Sequence, residues 1–217
     1  MKKVLETDSV LLEFGLRKIL TNIYIKLETG KIVGLLGRNG AGKSCLMKIT
    51  YGSLSCTSKS VRLNKKPFLY AFKQPERLQY LPQFHFIPAQ LKVKRVFSDF
   101  DLAFDAFLQV FPDFKNKYTT KMKDLSGGQR RLIEVYMITK SQTDFVLLDE
   151  PFSHIMPLHV EKMIQILQEE KKEKGFLITD HMYRDIIKCS DWIYVLKDGQ
   201  TYMSRDKDDL NKLGYLR

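Results

Sequence analysis

Short apolar runs bounded by glycine alternate along the chain with stretches in which apolar residues follow helical spacing. The run Lys31–Leu36 is flanked by Gly30 and Gly37, which is typical of a buried strand, and a helix is predicted from Gly42 to about Tyr51. Further elements are predicted as strands at Phe145–Leu148, Phe176–Thr179, Trp192–Leu196 and Gln200–Met203, the last two as a hairpin, and as helices at Val160–Gln168 and Tyr183–Lys188. Strands alternating with helices indicate an α/β fold with a largely parallel core sheet.

Two segments depart from this alternation. The N-terminal part predicts two strands, Ser9–Phe14 and Ile19–Leu27, with a turn around Gly15, and residues 55–82 predict short strands and turns. From about residue 83 to residue 140 the spacing is helical, which we interpret as an insertion into the core. One helix is predicted to begin at Gly128, and another is predicted through the apolar positions Val96, Phe100, Phe104, Phe107 and Leu108.

Composition places the chain among ordinary globular proteins, because 44% of its 217 residues are hydrophobic and 28% are charged. No apolar run approaches the about 20 residues that a membrane span needs. Glu6, Thr7 and Asp8 interrupt what would have to be the apolar part of a secretory signal, so we expect a cytoplasmic protein. The three cysteines argue against a disulfide framework and against a structural zinc site. The net charge of +11 fits nucleic acid, an anionic membrane surface or solubility alone.

The segment Gly37–Ser44 reads GRNGAGKS and matches the phosphate-binding pattern G-x-x-x-x-G-K-[ST]. Glycines let the backbone wrap a phosphate chain, and the helix that follows directs the positive end of its dipole at the same phosphates. The ammonium of Lys43 suits the β- and γ-phosphates, and the hydroxyl of Ser44 suits Mg²⁺. A glycine-rich turn that matches by accident is the alternative, and the position between a predicted strand and a predicted helix argues against it. We therefore predict nucleotide binding at this loop.

A second part of such a site follows the apolar run Phe145–Leu148, which ends in Asp149 and Glu150. In a phosphate-loop protein we expect Asp149 to hold Mg²⁺, through water or through Ser44, and Glu150 to act as general base on the attacking water. An acidic turn after a core strand is common by itself. The phosphate loop in the same chain favours the functional interpretation.

The segment Leu125–Gln129 reads LSGGQ and precedes a helical pattern. A serine and two glycines at a helix start form a second anion-binding end. Because the first loop already holds the phosphates of one nucleotide, this second end indicates a site shared between two copies of the chain. On these five residues alone, an ordinary helix capped by Ser126 is the alternative.

In this order, GRNGAGKS, LSGGQ and FVLLDEP resemble the nucleotide-binding domain of ABC-type ATPases, and the resemblance covers nearly the whole chain. It implies an α/β P-loop NTPase core with a mostly parallel sheet, an N-terminal antiparallel β subdomain and a short inserted helical subdomain. The insertion is placed at about 84–140 within a single ABC ATPase domain, residues 1–217. ATP and Mg²⁺ are the implied cofactors, and ATP hydrolysis coupled to transport is the implied activity.

The resemblance assigns catalytic roles to Lys43, Gln83, Glu150 and His181. Gln83 matches the family's Q-loop, so we expect it to contact Mg²⁺ or the attacking water and to sense a transmembrane partner. His181 matches the switch histidine that contacts the γ-phosphate, with a surface histidine at a strand end as the alternative. The order Thr-Asp-His at this point resembles the ATPases of lipopolysaccharide-type export and branched-chain amino-acid import.

The resemblance also names metal ligands and nucleotide contacts. Ser44, Gln83 and Asp149 are the expected Mg²⁺ ligands. Phe14 fits the aromatic residue that stacks on adenine, and a core aromatic is the alternative. The residues expected to contact the nucleotide are Phe14, Gly37, Arg38, Asn39, Gly40, Ala41, Gly42, Lys43, Ser44, Cys45, Ser126, Gly127, Gly128 and Gln129.

Three features depart from the family's pattern. The D-loop, residues 151–157, carries Met156 where an aspartate usually helps the two sites communicate. Cys45 stands where a second Thr or Ser commonly follows the Mg²⁺-binding hydroxyl, so we expect a weaker contact to the α-phosphate. The span between Gln83 and Leu125 is short for the helical subdomain, which indicates a reduced docking surface. Because the catalytic residues are all present, we expect a working hydrolase.

As the resemblance implies, two chains pair head to tail, with ATP between the phosphate loop of one and Ser126–Gly128 of the other. The expected partners are a second ATPase chain and a transmembrane permease subunit, with no nucleic acid, at the inner face of the cell membrane. A soluble ABC ATPase acting on nucleic acid or ribosomes is a second hypothesis, which the +11 charge favours. The tandem domains or long insertions of such relatives do not fit within 217 residues. A scaffold ATPase for iron–sulfur cluster assembly is the third.

Overall fold

Two β-sheets organise the chain, whose computed structural model describes residues 2–180, 183–204 and 207–212. The strands are β1 (Val4–Phe14), β2 (Arg17–Leu20), β3 (Tyr24–Glu28), β4 (Ile32–Gly37), β5 (Ser58–Leu63), β6 (Lys66–Pro67), β7 (Leu78–Leu81), β8 (Phe145–Asp149), β9 (Gly175–Thr179), β10 (Trp192–Lys197) and β11 (Gln200–Ser204). The helices are α1 (Lys43–Tyr51), α2 (Val93–Asp99), α3 (Phe104–Val110), α4 (Gly127–Lys140), α5 (Pro157–Glu170), α6 (Tyr183–Cys189) and α7 (Lys207–Lys212).

The larger sheet has the strand order β11-β10-β4-β9-β8-β7, and every neighbouring pair is parallel except the terminal hairpin β10–β11. All residues of β4, β8 and β9 are buried, as expected for parallel strands covered on both faces. Alternate side chains of β4 enter different cores: Val33 and Leu35 join one apolar cluster, and Ile32 and Leu36 join the other. The predicted parallel core and the predicted hairpin are therefore confirmed.

The smaller sheet is antiparallel, with the order β2-β1-β5-β6 and with β3 paired to β1. The single strand predicted at Ile19–Leu27 is wrong, because β2 ends at Leu20 and β3 begins at Tyr24. In the break, the backbone N–H groups of Thr21 and Asn22 both donate to the carbonyl oxygen of Gly199. Hydrogen bonds to the distant turn between β10 and β11 thus separate β2 from β3, although the apolar run Ile19–Leu27 looks continuous in the sequence.

Helices α2, α3 and α4 lie between β7 and β8 in the chain. The single helix predicted through Val96, Phe100, Phe104 and Leu108 is wrong, because it is divided into α2 and α3. Asp101 has a left-handed φ of 53°, and the N–H of Leu102 donates to the carbonyl of Phe97 at 3.0 Å. A residue in the left-handed conformation commonly ends a helix at this position, and it is usually glycine. Because Asp101 takes the position here, the sequence contains no recognisable signal for the end of α2.

Parallel strands place their carboxyl ends, and the loops that follow them, along one edge of the sheet. The loops after β4, β7 and β8 carry the phosphate loop, Gln83 and Glu150, respectively. Helix α1 begins at Lys43, directly after the phosphate loop, and α4 begins within the LSGGQ segment, as predicted. None of the helices in the described part of the chain is both long enough and apolar enough to span a bilayer.

Candidate nucleotide site

The phosphate loop depends on glycine conformation. Gly40 and Gly42 have φ angles of 75° and 104°, a left-handed region in which other residues are strained. The loop ends where the N–H of Leu46 donates to the carbonyl of Gly42 at 2.9 Å, which starts α1. The early N–H groups of this helix therefore face the loop interior, where a phosphate can accept them.

Lys43 lies across its own loop. Its ammonium donates to the carbonyl oxygens of Gly37 at 2.8 Å and Arg38 at 3.2 Å. Burial lowers the pKa of Lys43, and the nearby carboxylates, Glu150 foremost, oppose that shift. A cation held by neutral carbonyls in a partly desolvated loop gains more from an arriving phosphate than it would in water.

A cavity of about 440 Å³ opens on the phosphate loop. The residues that line it are Phe14, Ile19, Asn39, Gly40, Gly42, Lys43, Ser44, Cys45, Gln83 and Glu150. Phe14 is 57% exposed, so it is not a core residue, and its contact with adenine stays a prediction. A larger cavity, about 590 Å³, lies against α2 and α3, and of the described residues lining it none belongs to a motif.

Asp149 is held at the end of β8 by two hydroxyl donors. The hydroxyl of Ser44 donates to its Oδ1 at 3.1 Å, and the hydroxyl of Tyr80 donates to its Oδ2 at 2.9 Å. Burial raises the pKa of Asp149, although both hydrogen bonds work against that shift. Burial, together with the Asp149 charge, raises the pKa of Tyr80. The sequence-predicted pair Ser44 and Asp149 is thus in direct contact, and Tyr80 is an additional contact that the sequence reasoning missed.

Glu150 follows directly and is joined to Gln83. The side-chain amide of Gln83 donates to Oε2 of Glu150 at 2.6 Å. Glu150 itself is buried and has a left-handed φ of 50°, which costs on the order of 1 kcal/mol for a non-glycine residue. Its N–H donates to the carbonyl of Thr179 at the end of the neighbouring β9. Strained backbone held by sheet contacts is a common property of functional positions.

Arg131, in α4, contacts the backbone of both loops. Its guanidinium donates to the carbonyl oxygens of Pro82 at 2.8 Å, Asp149 at 2.7 Å and Glu150 at 3.0 Å. Burial lowers the pKa of Arg131, and the nearby Glu134 carboxylate is the largest opposing influence. Sequence reasoning missed this residue, because two adjacent arginines after LSGGQ look like a solvated helix face.

The sequence model of the family described as ABC transporter matches residues 20–153, which is more than half of the chain. The chain belongs to the ABC transporter family. That membership accounts for the order of the phosphate loop, LSGGQ and the acidic strand end, and the α/β P-loop NTPase fold agrees with it.

Individual relatives span nearly the same length. The branched-chain amino acid transport ATP-binding protein BraG of Pseudomonas aeruginosa is 26% identical over 92% of this chain and 91% of its own. The lipopolysaccharide export ATP-binding protein LptB of Acidithiobacillus ferridurans is 28% identical over 92% of this chain and 89% of its own. Among solved structures, the ATP-binding subunit of an ABC transporter superposes with a TM-score of 0.78 at 18% identity, covering 98% of this chain and 94% of that one, and shows the same fold.

In this ABC transporter chain the LSGGQ segment lies outside the cavity. Ser126 caps α4: the N–H of Gln129 donates to its hydroxyl at 3.2 Å, and its own N–H donates to Oε1 of Gln129 at 3.1 Å. Ser126 and Gly127 are exposed, and Ser126–Gln129 are absent from the described residues that line the cavity. Ser126 therefore caps α4, and its contact with a nucleotide stays a prediction.

The D-loop packs directly against LSGGQ. A methyl group on Gly128 would lie 2.2 Å from the carbonyl oxygen of His154, so only glycine fits there. Met156 is the N-cap of α5 and makes no side-chain capping hydrogen bond. It is 56% exposed. The two ABC motifs thus form one surface, on which Met156 is an apolar position.

The remaining predicted positions divide between the loop surface and the undescribed chain. Arg38 is exposed, and Ala41 is partly buried, with its N–H donating to the carbonyl of Arg38 at 3.1 Å. Cys45 lines the cavity, and burial raises the pKa of its thiol. His181 lies outside the described residues.

Proposed function

We propose that this chain is the subunit of an ABC transporter that binds and hydrolyses ATP and drives a separate membrane-spanning partner. The observation that carries the proposal is the convergence of the phosphate loop, Gln83 and Glu150 on one cavity, with Asp149 hydrogen-bonded to Ser44 of its lining. The names of the relatives, which include transport and export ATP-binding proteins, support the transport role.

The donor set beside the phosphate loop fits Mg²⁺. Ser44 and Asp149 present a hydroxyl and a carboxylate oxygen 3.1 Å apart, and both are hard oxygen ligands. Gln83 uses its amide nitrogen toward Glu150, so its amide oxygen is the atom suited to the metal or to water. Mg²⁺, when bound, neutralises charge on the phosphate oxygens.

The chain's own residues supply the remaining chemistry. Glu150 accepts a proton from the water that attacks the γ-phosphorus, while the bond from that phosphorus to the bridging oxygen breaks and ADP leaves. Gln83 orients the Glu150 carboxylate through its hydrogen bond. Lys43 leaves its loop carbonyls and stabilises the charge of the β- and γ-phosphates.

The site is completed by a second chain. Ser126 and Gly127 begin α4 in an exposed position, and a helix start favours an anion. We infer that they contact the γ-phosphate of ATP bound to the partner copy, so that two chains close head to tail around two ATP molecules. Closure follows ATP binding because the γ-phosphate makes these contacts only in the closed state. The assembly is placed at the inner face of the cell membrane by its permease.

Phosphate release from ATP by the purified chain tests the proposal. We expect Mg²⁺-dependent hydrolysis that Lys43→Ala abolishes, while Lys48→Ala, a lysine of the same helix that does not line the cavity, preserves it. Equal activity of the wild type and the Lys43→Ala variant would show that hydrolysis arises elsewhere and would refute the assignment.

A further inference from the structure

We infer that Arg131 is a positioning residue, which fixes Gln83 relative to Asp149 and Glu150 by binding the backbone of both loops at once. The inference rests on the proposed function, because it concerns the same reaction. The guanidinium is a planar fork with several donors in fixed directions, and here it serves three carbonyl oxygens at once. Two of these carbonyls belong to the proposed metal ligand and general base, and the third precedes Gln83.

Glu134 supplies the counter-charge for this arginine. Its side chain is fully buried, and its Oε2 lies 3.8 Å from a terminal nitrogen of Arg131. The same carboxylate contacts Nδ1 of His85 at 2.9 Å and accepts the N–H of Ile87 at 3.4 Å. Arg130 also pairs with Glu134, at 3.4 Å, and donates to the carbonyl of Ile87.

These contacts hold the segment 82–87 at both ends. Arg131 binds its first carbonyl, at Pro82, and Glu134 with Arg130 binds its last residue, Ile87. Between the two anchors, Gln83 reaches inward to Glu150, while Phe84 is 65% exposed on the outer surface. A shift of segment 82–87 therefore requires these contacts with α4 to break. Helix α4 is the helix that begins within LSGGQ.

If the Arg131–Glu134 pair had only a structural role, its loss would lower the stability of the protein and leave the kcat of the folded molecule unchanged. Lys174 provides the matched control, because it is a buried cation that donates to the carbonyl of Thr139 at 2.8 Å and to Glu170 at 2.6 Å. It belongs to neither of the loops. Arg131→Lys keeps a positive charge beside Glu134 but loses the planar fork.

The test compares Arg131→Lys, Lys174→Met and the wild type well below their unfolding temperatures. We expect Arg131→Lys to lower kcat about tenfold or more, with the KM for ATP unchanged within about twofold, because it loses charge-assisted hydrogen bonds that orient catalytic groups. Lys174→Met is expected to lose stability and retain kcat. Adding Arg131→Lys to Gln83→Ala should lower kcat little further, since both act on one arrangement.

Hydrogen–deuterium exchange of the nucleotide-free protein gives a readout that is independent of activity. Faster exchange in residues 83–86 is expected in Arg131→Lys and not in Lys174→Met. Unchanged exchange there, full kcat in Arg131→Lys, or effects that multiply in the double variant would overturn the inference. A wild type that hydrolyses no ATP would refute the proposed function, while the exchange result would still decide whether Arg131 holds the segment.

Discussion

The side-chain amide of Gln83 donates a 2.6 Å hydrogen bond to Oε2 of Glu150, although 67 residues separate them in the chain. They meet because β7 and β8 are parallel neighbours, so that the loops following them leave the same edge of the sheet. The residue proposed to sense the membrane partner is therefore in contact with the residue proposed to activate water.

Removal of this contact should slow chemistry more than it weakens binding. We expect Gln83→Ala to lower kcat by about ten- to a hundredfold, the range for a lost hydrogen bond to a charged group, and to leave the KM for ATP largely unchanged. Because Gln83 is exposed, thermal stability should not change. Steady-state kinetics are compared with Gln90→Ala, an exposed glutamine outside the cavity lining. A raised KM with normal kcat would contradict the orienting role.

Asp149→Asn should stabilise the nucleotide-free protein while abolishing hydrolysis. Burial raises the folded-state pKa of Asp149, so the stability that its protonated form contributes is present below the unfolded pKa and lost as pH rises through the folded pKa. At neutral pH the ionised carboxylate therefore opposes folding, and the neutral amide avoids that cost. We expect the unfolding temperature to rise by about 2–4 °C per kcal/mol gained. A lower unfolding temperature of Asp149→Asn at pH 7 would show that the hydrogen bonds from Ser44 and Tyr80 outweigh the burial cost.

Met156→Asp should restore a cap to α5. The N–H groups of its first turn lack a side-chain acceptor at the N-cap, and an aspartate there stabilises a helix by about 1 kcal/mol through a hydrogen bond and the helix dipole. Urea denaturation measures the gain. Met156→Ala is the control that removes the exposed apolar side chain without adding an acceptor. Equal stability of the two variants would mean that no capping bond forms.

The two glycines of LSGGQ should respond differently to a methyl group. A Cβ on Gly127 meets nothing within 4 Å, whereas one on Gly128 lies 2.2 Å from the carbonyl of His154. We expect Gly128→Ala to cost about 1–3 kcal/mol by forcing the D-loop aside, and Gly127→Ala to be neutral or slightly stabilising, since alanine is the better helix former. The free energies of unfolding decide the matter. If Gly128→Ala is no less stable than Gly127→Ala, the D-loop moves aside without cost and the predicted clash is wrong.

Much of the fold and the nucleotide loop was predictable, because both follow from local patterns. The phosphate-binding residues of Gly37–Ser44 are consecutive in the chain. The apolar run Phe145–Leu148 likewise predicts a buried strand before Asp149. Contacts set by tertiary packing were not predictable in the same way. In the sequence Arg131 resembles a surface cation, and only the packing of α4 against the two loops shows its contacts. Tyr80 resembles an ordinary strand residue, and only the pairing of β7 with β8 shows its contact with Asp149.

The errors have the same origin. Asp101 follows α2 in a left-handed conformation, a position at which glycine is the usual sequence signal. The helical spacing of apolar residues continues across this break in the sequence. The run Ile19–Leu27 is interrupted by hydrogen bonds to Gly199, nearly at the other end of the chain. Neither break has a local sequence signal of the kind on which periodicity depends.

The phosphate cavity and the exposed start of α4 are separate in one chain, so we expect ATP to join two chains. The variant Glu150→Gln is suited to test this pairing, because its side-chain amide can still accept the hydrogen bond from Gln83 but cannot act as the base. Light scattering after size-exclusion chromatography is measured with saturating ATP and without it. We expect a dimer, with twice the mass of one chain, only when ATP is present. A variant that remains monomeric with saturating ATP would contradict the two-chain mechanism.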